Sequence, residues 1–481
     1  MLQHKDTAIL SEIKDFFTTS EKAVYSILDL LSHLRLSEKH LNITSAPNNQ
    51  TSNLSKLYLL LLFPFFGVKD NYSYSQSGIY QLFSKGKDVF YRFMSNPQIN
   101  WRAISYSINK QLINKVSKST DINSTKASCL IIDDTDILKT GKKMELIGKI
   151  YSHVSHTFSL GFKGLFMGYY DGKSFFALDF SLHGEKGKNK KMPYGLKTKE
   201  LKQRFSKKRE KTSSGYTREQ EYHLPKTKRA IEMIRTAINK GIRFDYVLVD
   251  SWFTSFELVK FIKTRRINTH FLGVIKMGGR TRYTFGNKLL TAKEIKEVLR
   301  KRKKQKRSKL LSVYYSEAIV DFKGIKVRIF FYKTSKRGKW HALLTTNLDL
   351  NYEKAYQIYA TRWTIEVFFK EAKQHLYLGK GQMRDFDSQI ANITLRMIQF
   401  NILSIVKRFN SYETVGQLFR NVEKETISLT IAEKIWKIII EILLKIAIIF
   451  EIEADLIMTK IISDNQYIKK IINFESLKTV A

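Results

Sequence analysis

The chain has 481 residues, and its 83 Lys and Arg against 44 Asp and Glu give a formal net charge of +39. This length supports two to four ordinary domains and excludes a peptide hormone, while 43% hydrophobic and 13% aromatic residues exclude a disordered basic tail. So much positive charge predicts a polyanionic partner, and nucleic acid is the obvious candidate.

Cysteine usage and apolar runs indicate the cellular setting. The single cysteine, Cys129, excludes intramolecular disulfides and zinc modules built from cysteine pairs. The N-terminus shows no secretory signal, so we expect a cytoplasmic protein associated with the nucleoid through DNA. The apolar run Leu57–Phe66 is about half of a bilayer span, and Ile431–Phe450 carries a charge at every fourth residue. We therefore expect packed helices and no membrane partner.

Residues 1–125 form the first predicted region, which is helical by its apolar periodicity. Within it, DVFYRFM and WRAISYSINKQLI predict two helices around a short turn, with Asn100 capping the second. Such a pair could contact DNA, or it could be an ordinary helical packing unit.

From Cys129 the pattern changes to strands. CLIIDD is a short apolar run that ends in acids, and LFMGYYDGKSFFALDFSL predicts a hairpin that turns at Asp171-Gly172. Residues 186–230 then contain 16 Lys or Arg against 4 acids, with interspersed Gly, Ser and Pro. This composition predicts a mobile basic loop.

Helices and strands alternate after this loop. TKRAIEMIRTAINKG predicts a helix closed by Gly241, DYVLVD a buried strand ending at Asp250, SFELVKFIKTR a helix, and THFLGVIKM a strand. The predicted order is β-β-β-α-β-α-β, which indicates an α/β core. Residues 278–350 break the alternation as a β-rich insertion, in which two strands are predicted to pair across Lys323-Gly324. Eight of the ten residues at 300–309 are basic. Helical pattern resumes at Tyr352.

The segment YATRWTIEVFFKEAK is the most informative. On one continuous helix, Tyr359, Arg362, Glu366 and Lys373 would lie within an arc of about 60°. A neighbouring arc is apolar, with Ile358, Ile365, Phe369, Ala372 and Leu376. Two cations and a phenol beside a carboxylate suit a phosphate track in which the carboxylate holds a divalent cation. A salt-bridged surface helix is the alternative interpretation.

IIDDTD, YVLVDSWF and this helix together resemble the DDE transposases that carry the YREK signature, the insertion sequence four family. The resemblance implies an RNase H-like core, with one Asp on the first strand, a second just after the fourth, and a Glu on the helix beyond the fifth. The expected fold is therefore an RNase H-like α/β core with a β-rich insertion, flanked by helical N- and C-terminal regions: 1–125 helical, 126–380 core, 278–350 insertion and 381–481 helical.

Three carboxylates become candidate catalytic residues and metal ligands. Asp133, Asp134 and Asp136 compete for the first position; we favour Asp134, which precedes Thr135 as the first Asp of the family precedes its Thr. Asp250 and Glu366 are the other two. Hydrolysis and strand transfer need two metal ions about 3.5–4 Å apart, and Mg²⁺, with Mn²⁺ able to substitute, suits carboxylate ligands. No phosphate loop motif is present, so no nucleotide cofactor is expected.

The activity implied is cut-and-paste DNA transposition, in which terminal inverted repeats are cleaved, through hairpin ends, and joined to target DNA. The family also implies a homodimer, for which the helices from about Gln389 are the candidate contact. Tyr359, Arg362 and Lys373 would contact DNA, and Trp340 would stack on a flipped base. The alternatives are a structure-specific nuclease on the same core and a catalytically idle DNA-binding protein.

Overall fold

The computed structural model describes most of the chain, including the predicted core 126–380 apart from residues 126, 154, 265–267 and 336. The described residues are 10, 23–46, 51–75, 77, 80, 86–118, 127–153, 155–264, 268–335, 337–410, 412–426 and 442. The predicted helix at Ile431–Phe450 lies outside them, except for Ile442. In the described part, no helix combines the length and apolarity needed to cross a bilayer.

Twelve strands of the described chain form one mixed sheet. Their bounds are β1 Cys129–Leu138, β2 Gly148–Ser152, β3 Thr157–Tyr170, β4 Phe175–His183, β5 Tyr246–Val249, β6 His270–Ile275, β7 Arg282–Phe285, β8 Lys288–Thr291, β9 Lys306–Ser308, β10 Val313–Phe322, β11 Ile325–Lys333 and β12 His341–Thr345. The buried runs of β1 and β5 are apolar because helices or other strands cover them. β4 is also buried along its whole length, although it includes Asp179, Ser181 and His183.

The strand order identifies the fold as an RNase H-like α/β core. β4 pairs antiparallel with β3 and β3 antiparallel with β1, whereas β5 and β6 continue beside β1 in parallel. The β-rich insertion joins the same sheet, because β12 pairs antiparallel with β6 and is followed by β11, β10, β7 and β8. The predicted order of strands and helices in the core is confirmed, with the short β2 added.

Both predicted hairpin turns are present. At the first, Asp171 accepts hydrogen bonds from the backbone N–H groups of Lys173 and Ser174 at 2.9 and 2.6 Å, and Gly172 has φ of 95°. At the second, Lys323 and Gly324 connect β10 to β11 with φ of 52° and 90°. Glycine adopts such positive φ values without the steric penalty of a side chain, which is why these dipeptides mark turns.

The helices are α1 Ala23–Ser32, α2 Glu38–Leu41, α3 Asn53–Leu62, α4 Asn71–Tyr74, α5 Lys87–Met94, α6 Trp101–Lys118, α7 Thr198–Lys202, α8 Ser214–Tyr222, α9 Lys226–Asn239, α10 Phe256–Thr264, α11 Ala292–Lys301, α12 Tyr352–Ala360, α13 Trp363–His375 and α14 Phe386–Phe409. The predicted pair α5 and α6 is confirmed, and the Asn100 side chain accepts a hydrogen bond from the N–H of Ala103 at 2.9 Å.

The chain divides into two compact units. One comprises 1–116, 205–216 and 371–481 and is helical where described; the other comprises 117–204 and 217–370 and contains the sheet. The predicted N- and C-terminal helical regions thus share one unit. Their shared core is α14, in which Gln399 donates hydrogen bonds to the carbonyls of Leu60 and Leu61, and Asn401 donates to Asn109.

Two predicted features differ in the structure. The basic segment 186–230 was expected to be a mobile loop, but it contains α7, α8 and the start of α9, and three of its arginines are buried in ion pairs: Arg209 with Asp387, Arg218 with Glu221 and Arg229 with Asp179. Of the helices from about Gln389 that were expected to contact a partner, residues 389–406 are buried inside the helical unit of their own chain, and the chain after Thr426 lies outside the described residues apart from Ile442. A face that already packs intramolecularly is not available to a partner.

Candidate active site

The register between β1 and β5 selects one of the competing aspartates. The two strands pair in parallel from Cys129 opposite Tyr246 to Ile132 opposite Val249. Continuing that register by one residue sets Asp133 beside Asp250. Because side chains alternate between the two faces of a sheet, Asp134 then projects to the opposite face. The sheet therefore brings together the carboxylates of Asp133 and Asp250.

Asp250 is held by the turn that follows β5. Its Oδ1 accepts hydrogen bonds from the backbone N–H groups of Trp252 and Phe253 at 2.9 and 3.2 Å. A short polar side chain that bonds to the backbone two or three residues ahead fixes its own orientation. Phe253 anchors this turn because it is fully buried, whereas Trp252 is 49% exposed.

The third carboxylate lies beyond a break that the sequence did not predict. The expected continuous helix is two helices, α12 and α13, because the turn around Thr361 has three-residue hydrogen bonds in place of α-helical ones, as from Arg362 N–H to the Tyr359 carbonyl at 3.0 Å. The Thr361 hydroxyl also donates to the carbonyl of Ile358 at 2.7 Å. Side-chain hydroxyls that compete in this way bend or end helices. The predicted apolar face, from Ile358 to Leu376, is buried as expected.

Arg362 links the carboxylates at this break. Its Nη1 donates to Asp133 Oδ2 and its Nη2 to Glu366 Oε1, each at 2.5 Å. Burial raises the pKa of Asp133 to about 6, the negative charge of Asp250 adds to this increase, and Arg362 opposes it. Arg362 therefore joins Asp133 to Glu366, and Asp133 also lies within electrostatic reach of Asp250.

Asp134, the residue that the sequence favoured, is engaged elsewhere. Its Oδ2 pairs with the ammonium of Lys226, the first residue of α9, and this ammonium also lies 4.3 Å from the ring centroid of Trp252. The sequence analysis did not identify Lys226, because it is one of many lysines in the basic segment 186–230 and no local pattern distinguishes it from the others. The Asp134 assignment thus conflicts with the position that the strand register gives to Asp133.

Tyr359 and Lys373 are the other two residues of the stripe that the sequence predicted. The Tyr359 hydroxyl donates to the carbonyl of Val249 at 3.3 Å, and its ring centroid lies 5.9 Å from Arg362. Burial raises the pKa of Tyr359 well above its usual range, which keeps the phenol neutral as a donor. Lys373 is half-buried near the C-terminal end of α13. Tyr359 thus holds the end of β5, because it is hydrogen-bonded to Val249, the residue just before Asp250.

Trp340 lies just before β12, and it is half-buried. The ammonium groups of Lys296 and Lys333 lie 4.8 and 5.1 Å from its ring centroid. Cation–π contacts of this kind hold positive charge against the ring. The ring therefore belongs to a basic part of the insertion, where a phosphate chain would be attracted.

The basic stretch 300–309 is exposed at every one of its eight Lys and Arg residues. Two of them form ion pairs, Arg300 with Glu297 and Lys306 with Glu317. The remaining cations leave a strongly positive strip on the insertion, between α11 and β10. Such a strip is suited to contact with nucleic-acid backbone.

The three acids fit hard divalent cations by their donor chemistry. Carboxylate oxygens are the ligands that Mg²⁺ prefers, and the repulsion between Asp133 and Asp250 is of the kind that a bound cation relieves. Among the residues that the structure describes, no three carboxylate, imidazole or thiol groups lie close enough to form a ready-made metal site. Here the Arg362 guanidinium supplies the positive charge that Asp133 and Glu366 share.

Two family models match parts of the chain. Residues 83–271 match the sequence model of a family described as DDE superfamily endonuclease, and residues 211–402 match that of the transposase DDE domain. A similar solved structure is the cryo-EM structure of piggyBac transposase synaptic complex with hairpin DNA, at 15% identity and a TM-score of 0.40, covering 89% of this chain and 81% of that chain. No curated protein matches the chain.

Proposed function

We propose that this chain is a DNA transposase of the cut-and-paste type, which cleaves the ends of its element and joins them to target DNA. The observation that carries this proposal is that Arg362 pairs with both Asp133 and Glu366, while Asp250 lies beside Asp133 on the neighbouring strand of an RNase H-like sheet. The matches to DDE endonuclease and transposase domains support the same reaction class.

Asp133, Asp250 and Glu366 would hold the divalent cations, Mg²⁺ or Mn²⁺. Such ions, when bound, activate the attacking oxygen of a water or a 3′-hydroxyl and stabilise the leaving oxygen. Asp250 is already oriented by two backbone N–H groups, and its turn is anchored by buried Phe253. Asp133 must be ionised to act as a ligand, which its pKa of about 6 permits at neutral pH.

Arg362, Lys373 and the exposed strip 300–309 would bind and orient the DNA. Arg362 can release one carboxylate and present its second edge to a phosphate, since a guanidinium binds carboxylate and phosphate oxygens alike. Lys373 and the exposed strip 300–309 would neutralise backbone phosphates further along the strand. A net charge of +39 on the whole chain favours binding of DNA before any base is read.

The proposal extends to hairpin ends and a homodimer. Hairpin formation on the DNA end leaves a base unstacked, and Trp340 offers a half-exposed ring for it between two lysines. Stacking on such a ring returns about 1–3 kcal/mol of the free energy lost when a base is extruded. Two ends are joined in one event, so two copies of the chain would hold them.

End cleavage by the purified protein tests the proposal. The substrate is a plasmid that carries the terminal inverted repeats flanking the gene, incubated with Mg²⁺ or with EDTA. We expect metal-dependent cleavage by the wild type and by Glu353→Gln, a matched glutamate on α12, and loss of cleavage in Glu366→Gln with end binding retained in a gel shift. Cleavage that survives Glu366→Gln would refute the DDE assignment; binding without any cleavage by the wild type would favour the idle DNA-binding protein.

A further inference from the structure

A cavity of about 550 Å³ lies within the helical unit, away from the three acids. It is lined by residues of α3 to α5, of the segment that follows α13, and of α14. This volume falls within the range of about 300–1,000 Å³ that is typical of small-molecule sites. Nothing in the proposed transposition chemistry uses it.

Arg396 of α14 is the reason to expect an anion there. Its side chain is 4% exposed, and its Nη1 and Nη2 donate to Gln399 Oε1 and to the Lys69 carbonyl, both at 3.1 Å. Its Nε has no hydrogen-bond partner, and no carboxylate pairs with the guanidinium, among the residues that the structure describes. The charge of Asp70 acts on Arg396 without forming an ion pair with it. A buried guanidinium with an unpaired N–H is costly, and an anionic ligand in the cavity would supply a direct partner.

The rest of the lining is also positive. Lys69 and Lys380 line the cavity with Arg396, against a single carboxylate, Asp70. The Oδ1 of Asp70 already accepts hydrogen bonds from the backbone N–H groups of Tyr72 and Ser73 at 3.0 and 2.8 Å. The excess of cations favours a ligand that carries at least one phosphate-like negative charge.

Tyrosine rings provide the second part of the site. Tyr72 and Tyr91 are 57% and 38% exposed on one wall, and Tyr377 is on the other, with the Lys380 ammonium 5.5 Å from its ring centroid. Tyr377 has φ of 57° at the C-terminal end of α13, a position where glycine is the usual residue. A tyrosine in this strained conformation is unusual, and such outliers concentrate at functional sites, which is consistent with a ligand contact by its ring.

We propose that this cavity binds a nucleotide, with its phosphate against Arg396, Lys69 and Lys380 and its base against the tyrosine rings. Base–aromatic stacking and phosphate–cation contacts are the two interactions by which proteins hold unpaired nucleotides. The choice of a nucleotide rests on the proposed action on DNA. Two sources share this chemistry: an unpaired nucleotide of the DNA itself, or a free nucleotide.

The test is equilibrium binding of dAMP, deoxyadenosine and inorganic phosphate to the full chain in EDTA. We expect dAMP to bind about tenfold more tightly than either of the other two, because each of those lacks one set of contacts. The double variant Lys69→Gln/Lys380→Gln should lose about tenfold in dAMP affinity, whereas Lys110→Gln, an exposed lysine on α6, should lose none. Both lysines of the double variant are exposed, so the fold should persist with an unchanged circular dichroism spectrum.

Absence of dAMP binding, or equal binding by the double variant, would overturn the inference, and so would equal affinity for dAMP and phosphate. Competition between dAMP and a single-stranded oligonucleotide would identify DNA as the source; dAMP binding without competition would identify a free nucleotide. End cleavage measured on the same proteins separates the two proposals. If the wild type cleaves ends but binds no dAMP, only the cavity proposal is refuted. If it binds dAMP but cannot cleave ends, only the transposase proposal is refuted.

Discussion

Two single substitutions of Asp by Asn at adjacent positions test which face of β1 carries the catalytic carboxylate. Asp133→Asn and Asp134→Asn remove the same charge from neighbouring positions of one strand. The first removes an oxygen that lies beside Asp250 and binds Arg362, and the second removes the partner of Lys226. We expect Asp133→Asn to slow end cleavage severely and Asp134→Asn to slow it only modestly.

The expected magnitudes differ because the two acids have different environments. A metal site stabilises the transition state by several kcal/mol, and each 1.4 kcal/mol or so is a factor of ten in rate, so loss of a ligand should slow cleavage by roughly 100- to 1,000-fold. The Asp134 and Lys226 side chains are 29% and 16% exposed, and an ion pair at this depth contributes on the order of 1 kcal/mol. Its loss should change cleavage by less than about tenfold.

Single-turnover cleavage of a labelled end, with protein in excess, measures both variants under one condition. A gel shift in EDTA serves as the control, since neither substitution removes a cation that holds DNA. Normal cleavage by Asp133→Asn together with loss in Asp134→Asn would refute the argument from strand register and restore the assignment made from the sequence motif. Equal loss in both would mean that the two acids act as one unit.

Three further predictions concern other parts of the chain. Replacing Lys301, Lys303, Lys304 and Lys309 by Gln should flatten the plot of log affinity against log salt by about 0.9 for each lysine that contacts a phosphate; an unchanged slope would mean that these charges face only solvent. Trp340→Ala should permit the first nick but lower the yield of hairpin ends, with Trp340→Phe milder, and a normal hairpin yield would exclude the stacking role. Burial, with the charge of Lys226, lowers the pKa of His183 to about 4, below the ~6.5 of an unfolded chain, so the unfolded state takes up the proton first and stability falls as pH drops from about 6.5 to 4. In thermal melts His183→Gln should flatten this fall; a melting temperature with the wild-type dependence on pH would contradict it.

Local chemistry allowed much of the fold to be predicted from the sequence. Asp171-Gly172 and Lys323-Gly324 mark hairpins because positive φ suits them, and the apolar runs of β1 and β5 mark strands covered on both faces. The helical cap at Asn100 follows from a side chain that bonds two or three residues ahead. Each of these features depends on residues within one turn or one strand.

The structure of the basic segment 186–230 could not be predicted from its local composition. Its composition indicated a loop, yet buried partners such as Asp179 and Asp387 neutralise its arginines and stabilise helices there. Those acids are distant in sequence, so no local pattern identifies them. The pairing of N- and C-terminal helices around α14 has the same origin, since Gln399 meets carbonyls more than three hundred residues earlier.

The sequence by itself indicated the reaction class that we propose, because it contains acids in one strand, just after another and on a later helix, together with a large excess of cations. It also showed that Asp133 and Asp134 face opposite ways, since side chains alternate along a strand. Which face meets Glu366 was decided by tertiary structure alone, through the parallel register of β1 with β5 and the break before α13 that turns Arg362 toward Asp133. Strand register is a relation between segments more than a hundred residues apart, and neither segment encodes it separately.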